Sequence, residues 1–251
     1  MVKNLLLGCA ALAVGAITMT GAANAIIIDD FIDAPQGIRI VGPEAHPGGL
    51  DPSVTLLDNA GGLQVTDAGP HASIIGGNRD IKTTLIGSPG SSRAASMDAA
   101  VIDGAFSHSQ DTGVRSNTYI TWNGLAGAGL GSADLTEGGS SDSFRVVILS
   151  ADDGVDWSLS VTDGDSTFTH FFENVGVISA ATDYFLSFSL FSGIDFTDVN
   201  SIVLGANVTN TVDFDTSVAL IETYGIPEPA SLTLLGAGIM GLGYFGKRRK
   251  A

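Results

Sequence analysis

Residues 155–164, VDWSLSVTDG, constrain the fold more than any other stretch of the chain. Val155, Trp157, Leu159 and Val161 occupy alternate positions, and the run closes on Asp163-Gly164. A period of two lines the apolar side chains along one face of an extended strand. Asp-Gly supplies residues that tolerate the backbone of a tight turn. The following run, TFTHFFENVG, reads as the second arm of a hairpin.

The same pattern recurs along the body. SFRVVILS is an apolar run closed by ADDG, and YFLSFSLFSG reads as a half-buried strand carrying Phe185 and Leu190 among serines. VNSIVLGANV and SVALIETYG follow. In the first half IIIDDF, GIRIVG, ASIIGG, IKTTLIG, AAVIDGAFS and TYITWNG are strand-and-turn segments of the same kind. No helical period appears between residues 26 and 225. Ten to twelve short strands bounded by Gly, Asp, Asn and Ser predict an all-β, antiparallel, jelly-roll-like β-sandwich. One domain over 26–225 is expected, with a division into two subdomains near 124–143 as the alternative. That segment, GLAGAGLGSADLTEGGSSDS, reads as a long flexible crossing loop.

The N-terminus combines Lys3, an apolar stretch over residues 5–19 and the small-x-small sequence Ala23-Asn24-Ala25. Those three regions predict a secretory signal peptide over 1–25, an N-terminal signal helix cut by signal peptidase after Ala25. Leu6 to Cys9 imitates a lipoprotein box, but a cut there leaves too short an apolar region. Once 1–25 are removed no cysteine remains, so the exported body folds without disulfides. Residues 26–225 hold 26 acidic and six basic side chains, a net charge of about −20. Such a body repels nucleic acid, which excludes it as a partner, repels anionic lipid headgroups, and attracts divalent cations or cationic partners.

The C-terminus reverses this composition. Residues 230–245 carry no charge and Lys247, Arg248, Arg249 and Lys250 follow almost directly. Sixteen helical residues span about 24 Å, short of the ~30 Å hydrocarbon core. Gly246 and a snorkelling Lys247 bring a transmembrane helix over 230–246 within reach, with the basic cluster holding the C-terminus in the cytoplasm. Gly236 to Gly241 matches G-x-G-x-x-G, but only ten residues follow, too few for a βαβ unit. In Ile226-Pro227-Glu228-Pro229 the two prolines keep the backbone extended and outside the following helix. An extended strip at a membrane surface suits the cleft of a processing enzyme.

The order Pro227-Glu228-Pro229, apolar helix and basic cluster closely resembles the PEP-CTERM family of sorting signals. The resemblance implies recognition by an exosortase, a membrane transpeptidase-like enzyme. It also implies an inner-membrane intermediate that ends at the cell surface or in an exopolysaccharide matrix. The body is similar to PEP-CTERM proteins that share GG-x-R-D, here 76–80, and an early DDF, here 29–31. Its layout resembles galactose-binding-like jelly rolls and carbohydrate-binding modules.

Catalytic chemistry finds little support in the residues. His46, His71, His108 and His170 lack metal-ligand spacing, and no G-x-S-x-G occurs. Glu137, Glu173 and Glu222 single out no pair for glycoside hydrolysis. The expectation is a non-catalytic protein, with a secreted carbohydrate-binding module or carbohydrate-active enzyme as the alternative. Structural calcium is the one cofactor to consider, because calcium takes six to eight oxygen ligands. If the first and last strands lie together, Asp29 or Asp30 meets Asp213 and Asp215. A second cluster is Asp152, Asp153 and Asp156 facing Asp163 and Asp165. The competing expectation is that these aspartates cap turns. Trp122 and Trp157 sit in alternating apolar runs and are expected in the core rather than as sugar-stacking platforms. Arg79 and Asp80 are expected to pair after the Gly-Gly turn.

Overall fold

The computed structural model describes residues 25–33, 36–41, 54–56, 63–66, 69–87, 96–102, 104–152, 156–164, 166–173, 176–208 and 211–225. Residues 1–24 of the expected signal peptide and the sorting segment 226–251 lie outside these, so the two helices expected there are not described. Among the described residues no helix is long and apolar enough to cross a membrane.

Fourteen strands are described, more than the ten to twelve expected. They are β1 (Ile27–Asp29), β2 (Gln36–Val41), β3 (Val54–Leu56), β4 (Leu63–Thr66), β5 (Asp80–Gly87), β6 (Ser96–Ile102) and β7 (Ala105–Gln110). Then come β8 (Arg115–Trp122), β9 (Ser143–Ala151), β10 (Asp156–Asp163), β11 (Thr167–Glu173), β12 (Thr182–Ser187), β13 (Val199–Ala206) and β14 (Thr216–Tyr224).

They form two sheets, and the protein is an all-β antiparallel sandwich with one parallel pair, β2 with β3. One sheet runs β12-β9-β14-β7-β6-β2-β3, with β1 also on β14, and the other runs β11-β10-β13-β8-β5-β4. The hairpin read from the sequence is β10 with β11, where Trp157 faces Phe172 across the ladder. Trp157, Leu159 and Val161 are fully buried, as their spacing requires.

Three expectations need correction. ASIIGG is not a strand, because Ile75–Gly77 turns in a 3-10 helix with Gly76 and Gly77 at φ 69° and 85°, a region L side chains avoid. YFLSFSLFSG is strand only to Ser187. The Ser187 hydroxyl then accepts from the Ser189 amide, and Phe188–Leu190 coil into a 3-10 turn. Segment 124–143 is anchored along β13 rather than loose. Leu130 donates to the Asn200 carbonyl, Ala133 bridges Val199, Leu135 donates to the Phe196 carbonyl, and the Leu135 side chain is buried. Gly124 makes the bend, since a Cβ there would come within 2.0 Å of the Gly129 carbonyl oxygen. Strands from before and after this segment share both sheets, with β7 beside β14 and β8 beside β13.

Candidate functional site

Strand β1 brings Asp29 against β14, and the Gly-Gly turn brings Arg79 to the same point. The guanidinium Nη1 of Arg79 donates to both carboxylate oxygens of Asp29 at 2.6 Å, and both side chains are fully buried. The Trp122 indole donates to Asp29 Oδ2 at 2.9 Å and the Phe31 amide donates to Oδ1 at 2.8 Å. Arg79 Nε donates to Gln36 Oε1, and Nη2 donates to the Asp33 carbonyl. Phe31 holds φ 57°, costly for a non-glycine residue, while its ring packs in the core beneath the Arg79 guanidinium. Burial pushes the Asp29 carboxyl above the ordinary carboxylate range, against the opposing pull of Arg79. The two short motifs IDDF and GGNRD therefore meet as one ion pair. Arg79 reaches inward to Asp29, while Asp80, the first residue of β5, stands opposite Thr121 of the outer row.

A second buried polar group lies further along the inward face of β8. His108 of β7 is fully buried, with Nδ1 2.8 Å from Thr118 Oγ1, which lies 2.8 Å from Thr83 Oγ1. Gln110 Nε2 is 2.9 Å from His108 Nε2 and donates to the Ser116 carbonyl at 3.0 Å. The Gln110 amide oxygen accepts from the Phe214 amide, which fixes its Nε2 as a donor. His108 Nε2 must then accept, and Nδ1–H donates to Thr118. Burial lowers the His108 pKa from 6.5 to about 4. A neutral histidine locked in one tautomer ties the two sheets together and has no open path to a substrate.

The carboxylates of the first calcium set, all of them described, are not brought together. The first and last strands do pair, but Asp29 sits opposite Ile221, roughly 20 Å along β14 from Asp215. Asp29 already accepts four hydrogen bonds from three groups, and Asp30 accepts from the Ile32 amide. Asp213 accepts from the Gly113 amide and Asp215 from the Gln110 amide at 2.9 Å. In the second cluster, Asp153 and Asp165 fall outside the described residues, as does the side chain of Asp156. Asp152 accepts from the Asp215 amide, and Asp163 accepts from the Ser166 and Asp195 amides, each at 2.8 Å. Among the described residues no group of three or more His, Cys, Asp or Glu is placed to hold a metal ion.

Of the three glutamates, Glu137 accepts from the Ser141 hydroxyl and Glu222 from Arg145 at 2.8 Å; the side chain of Glu173 is not described. His71 is half-buried and His170 packs 5.8 Å from the Phe191 ring; His46 lies outside the described residues. Ala25 is exposed beside β1; Ala23, Pro227, Glu228, Pro229 and Lys247, Arg248, Arg249 and Lys250 are outside the described residues.

Both tryptophans are buried, so neither offers a platform. The aromatic groups on a solvent face are others. Across the outer face of the six-stranded sheet one row reads Phe171, Ser158, Gly205, Tyr119, Lys82 and Gln64. Phe171 is 59% exposed and the Tyr119 ring lies down beside Gly205, whose Cβ would come within 2.9 Å of it. The next row adds Thr169, Ser160, Val203 and Thr121. Sequence reasoning missed Tyr119 and Phe171, although both sit out of phase with the buried positions of their strands. That phase is the signal by which they were detectable.

Fold and tail together define a β-sandwich that runs directly into a C-terminal address signal. Residues 225–250 match the family described as the PEP-CTERM protein-sorting motif, so the chain carries that motif from the end of β14 onward. The motif implies an exported protein, processed by an exosortase and sorted to the cell surface. Among curated proteins none matches the chain. Among solved structures, the sandwich resembles the family 11 carbohydrate-binding module of the cellulosomal cellulase Lic26A-Cel5E of Clostridium thermocellum. That similarity is 12% identity and a TM-score of 0.36, over 82% of this chain and 97% of that one. A family 29 carbohydrate-binding module aligns at 14% identity and a TM-score of 0.33, over 61% and 97%.

Proposed function

We propose that this is a non-catalytic envelope or matrix protein. On this reading residues 1–25 direct export, residues 230–246 hold an inner-membrane intermediate, and an exosortase cuts at Pro227-Glu228-Pro229. The observation that carries the reading is continuity. Tyr224 is the last residue of β14, Gly225 is buried, and the sorting motif begins at 225 with no linker between. The non-catalytic assignment is supported by the described histidines and glutamates, which pack or pair locally instead of converging. Intact mass and the C-terminal peptide of protein from the native host, taken by fraction, test the proposal. A new end within 226–229 is expected; a chain in the membrane fraction still ending in Lys250-Ala251 would refute processing.

A second reading is favoured by one observation, the outer row of the six-stranded sheet. The exposed Phe171 ring and the partly exposed Tyr119 ring, with the hydroxyls of Thr169, Ser160 and Thr121 in the next row, suit a neutral polysaccharide, whose sugars offer apolar faces and hydroxyls together. Binding to a glycan panel by affinity electrophoresis tests it. Retardation of the parent protein is expected to disappear in Tyr119→Ala/Phe171→Ala, and no retardation by any glycan would retire the reading.

A further inference from the structure

We infer that the end of the sandwich where β1 begins and β14 finishes is a membrane-seating surface, occupied by lipid headgroups until the tail is cut. This rests on the proposed reading of 230–246 as a membrane segment.

The argument starts from the ladder. The Ile26 amide donates to Thr223 Oγ1 at 2.9 Å and the Thr223 amide donates to the Ile26 carbonyl at 2.9 Å. The first residue after the expected signal cut and the last residues before the sorting motif are therefore neighbours. Both chain ends leave the sandwich at one place. The exit is also held tightly: the Tyr224 carbonyl accepts from the Asp142 amide at 3.2 Å and the Ser143 hydroxyl at 2.8 Å. From Gly225 to Ala230, where the proposed membrane segment begins, is five residues, roughly 17 Å at full extension. A leash of that length keeps this end of the body close to whatever surface the tail enters.

The side chains there suit a headgroup layer. Row by row on the outer face of the larger sheet, Phe185 stands beside Arg145, Glu222 and Ile27, and Ser187 stands beside Ser143 and Tyr224. Phe185 is 50% exposed and Ile27 43%, and the Phe185 and Tyr224 rings lie 4.9 Å apart. Leu190, just beyond the end of β12, is 41% exposed. Arg145 is held between Glu222 and Asp183, which leaves that cation unavailable to attract lipid phosphate. Contact must therefore be short-range and apolar, with aromatic rings at headgroup depth.

The test uses the full-length chain with Cys9→Ala and one added cysteine, Ser187→Cys at this end, Thr112→Cys at the opposite end or Gly238→Cys in the tail. Each carries an environment-sensitive fluorophore, and the protein is reconstituted in phosphatidylethanolamine–phosphatidylglycerol vesicles bearing nitroxide lipids. The expected result is at least threefold stronger headgroup-nitroxide quenching at Ser187→Cys than at Thr112→Cys, reduced by adding Phe185→Ser/Leu190→Ser. Equal quenching at both ends, with Gly238→Cys quenched from the acyl region, overturns the seating surface alone. An unquenched Gly238→Cys overturns the membrane reading of the tail and the surface with it. Ser187→Cys that is unquenched in pure lipid yet shielded in native membranes assigns this end to a protein partner and overturns the lipid assignment.

Discussion

Strands β8 and β10 belong to the same sheet with only β13 between them, yet they bury opposite kinds of surface. Inward from β10 come Trp157, Leu159 and Val161, and Trp157 stacks on Phe172 at 6.4 Å. Inward from β8 come Ser116, Thr118, Ile120 and Trp122, equally inaccessible, but three of them are bonded: Ser116 to Gln110, Thr118 to His108 and Trp122 to Asp29. The β10 half is held by apolar area, which is non-directional and tolerates repacking. The β8 half is held by groups that each need one partner in one geometry, so it penalises a missing atom more than a missing methylene.

Four experiments bear on that contrast. Arg79→Met should have the largest effect. It leaves Asp29 as an uncompensated buried charge, a loss of about 3–5 kcal/mol. Urea unfolding measures it, and a loss below about 1 kcal/mol would mean that the pair does not organise this half.

Acid should act next, through His108. Its folded pKa of about 4 lies below the ordinary 6.5, so its contribution is complete above pH 6.5 and fades as pH falls toward 4. The sum is about 3 kcal/mol, at 1.36 kcal/mol per pKa unit. Protonation would also set an Nε2–H against the Gln110 Nε2 donor. The difference in unfolding free energy between the parent and His108→Asn, followed from pH 7 to pH 4, isolates this slope from that of the carboxylates. Parallel curves would sink the assignment.

Trp122→Phe should cost about 1–3 kcal/mol, since it removes one donor from Asp29 and leaves that oxygen short. Its counterpart, Trp157→Phe, should be the mildest of the four. The Trp157 indole N–H is buried without a hydrogen-bond partner, so loss of ring area is offset by loss of an unsatisfied donor. A change within about 1 kcal/mol is expected by thermal and urea unfolding. Equal costs for the two tryptophans would erase the distinction between the halves.

Much of this was legible in the chain. The alternation in VDWSLSVTDG put Trp157, Leu159 and Val161 on one buried face, and TYITWNG did the same for Ile120 and Trp122. The sorting motif was legible too, because it is a linear signal read in order by a processing enzyme. What was not legible was pairing at long range. Asp29 and Arg79 are 50 residues apart, and Asp80, the adjacent acid, was the natural choice, yet it stands opposite Thr121 of the outer row while Arg79 reaches inward. The calcium set failed for a related reason. The contact of first and last strands was anticipated correctly, but register placed Asp29 near the far end of β14 from Asp213 and Asp215. Strand registry depends on every ladder in the sheet at once, and no local pattern carries it.

The sequence by itself determined that the body is β-structured, that no disulfide supports it after export, and that it ends in an address signal. Each of these follows from nearest-neighbour chemistry: alternation, composition, and a contiguous string of residues. Tertiary structure alone decided which acid neutralises Arg79, that His108 is a neutral strut between sheets, and that Tyr119 and Phe171 fall in one register row of the outer face. It alone placed the two ends of the body side by side, because the strand pairings that do so join residues nearly 200 positions apart.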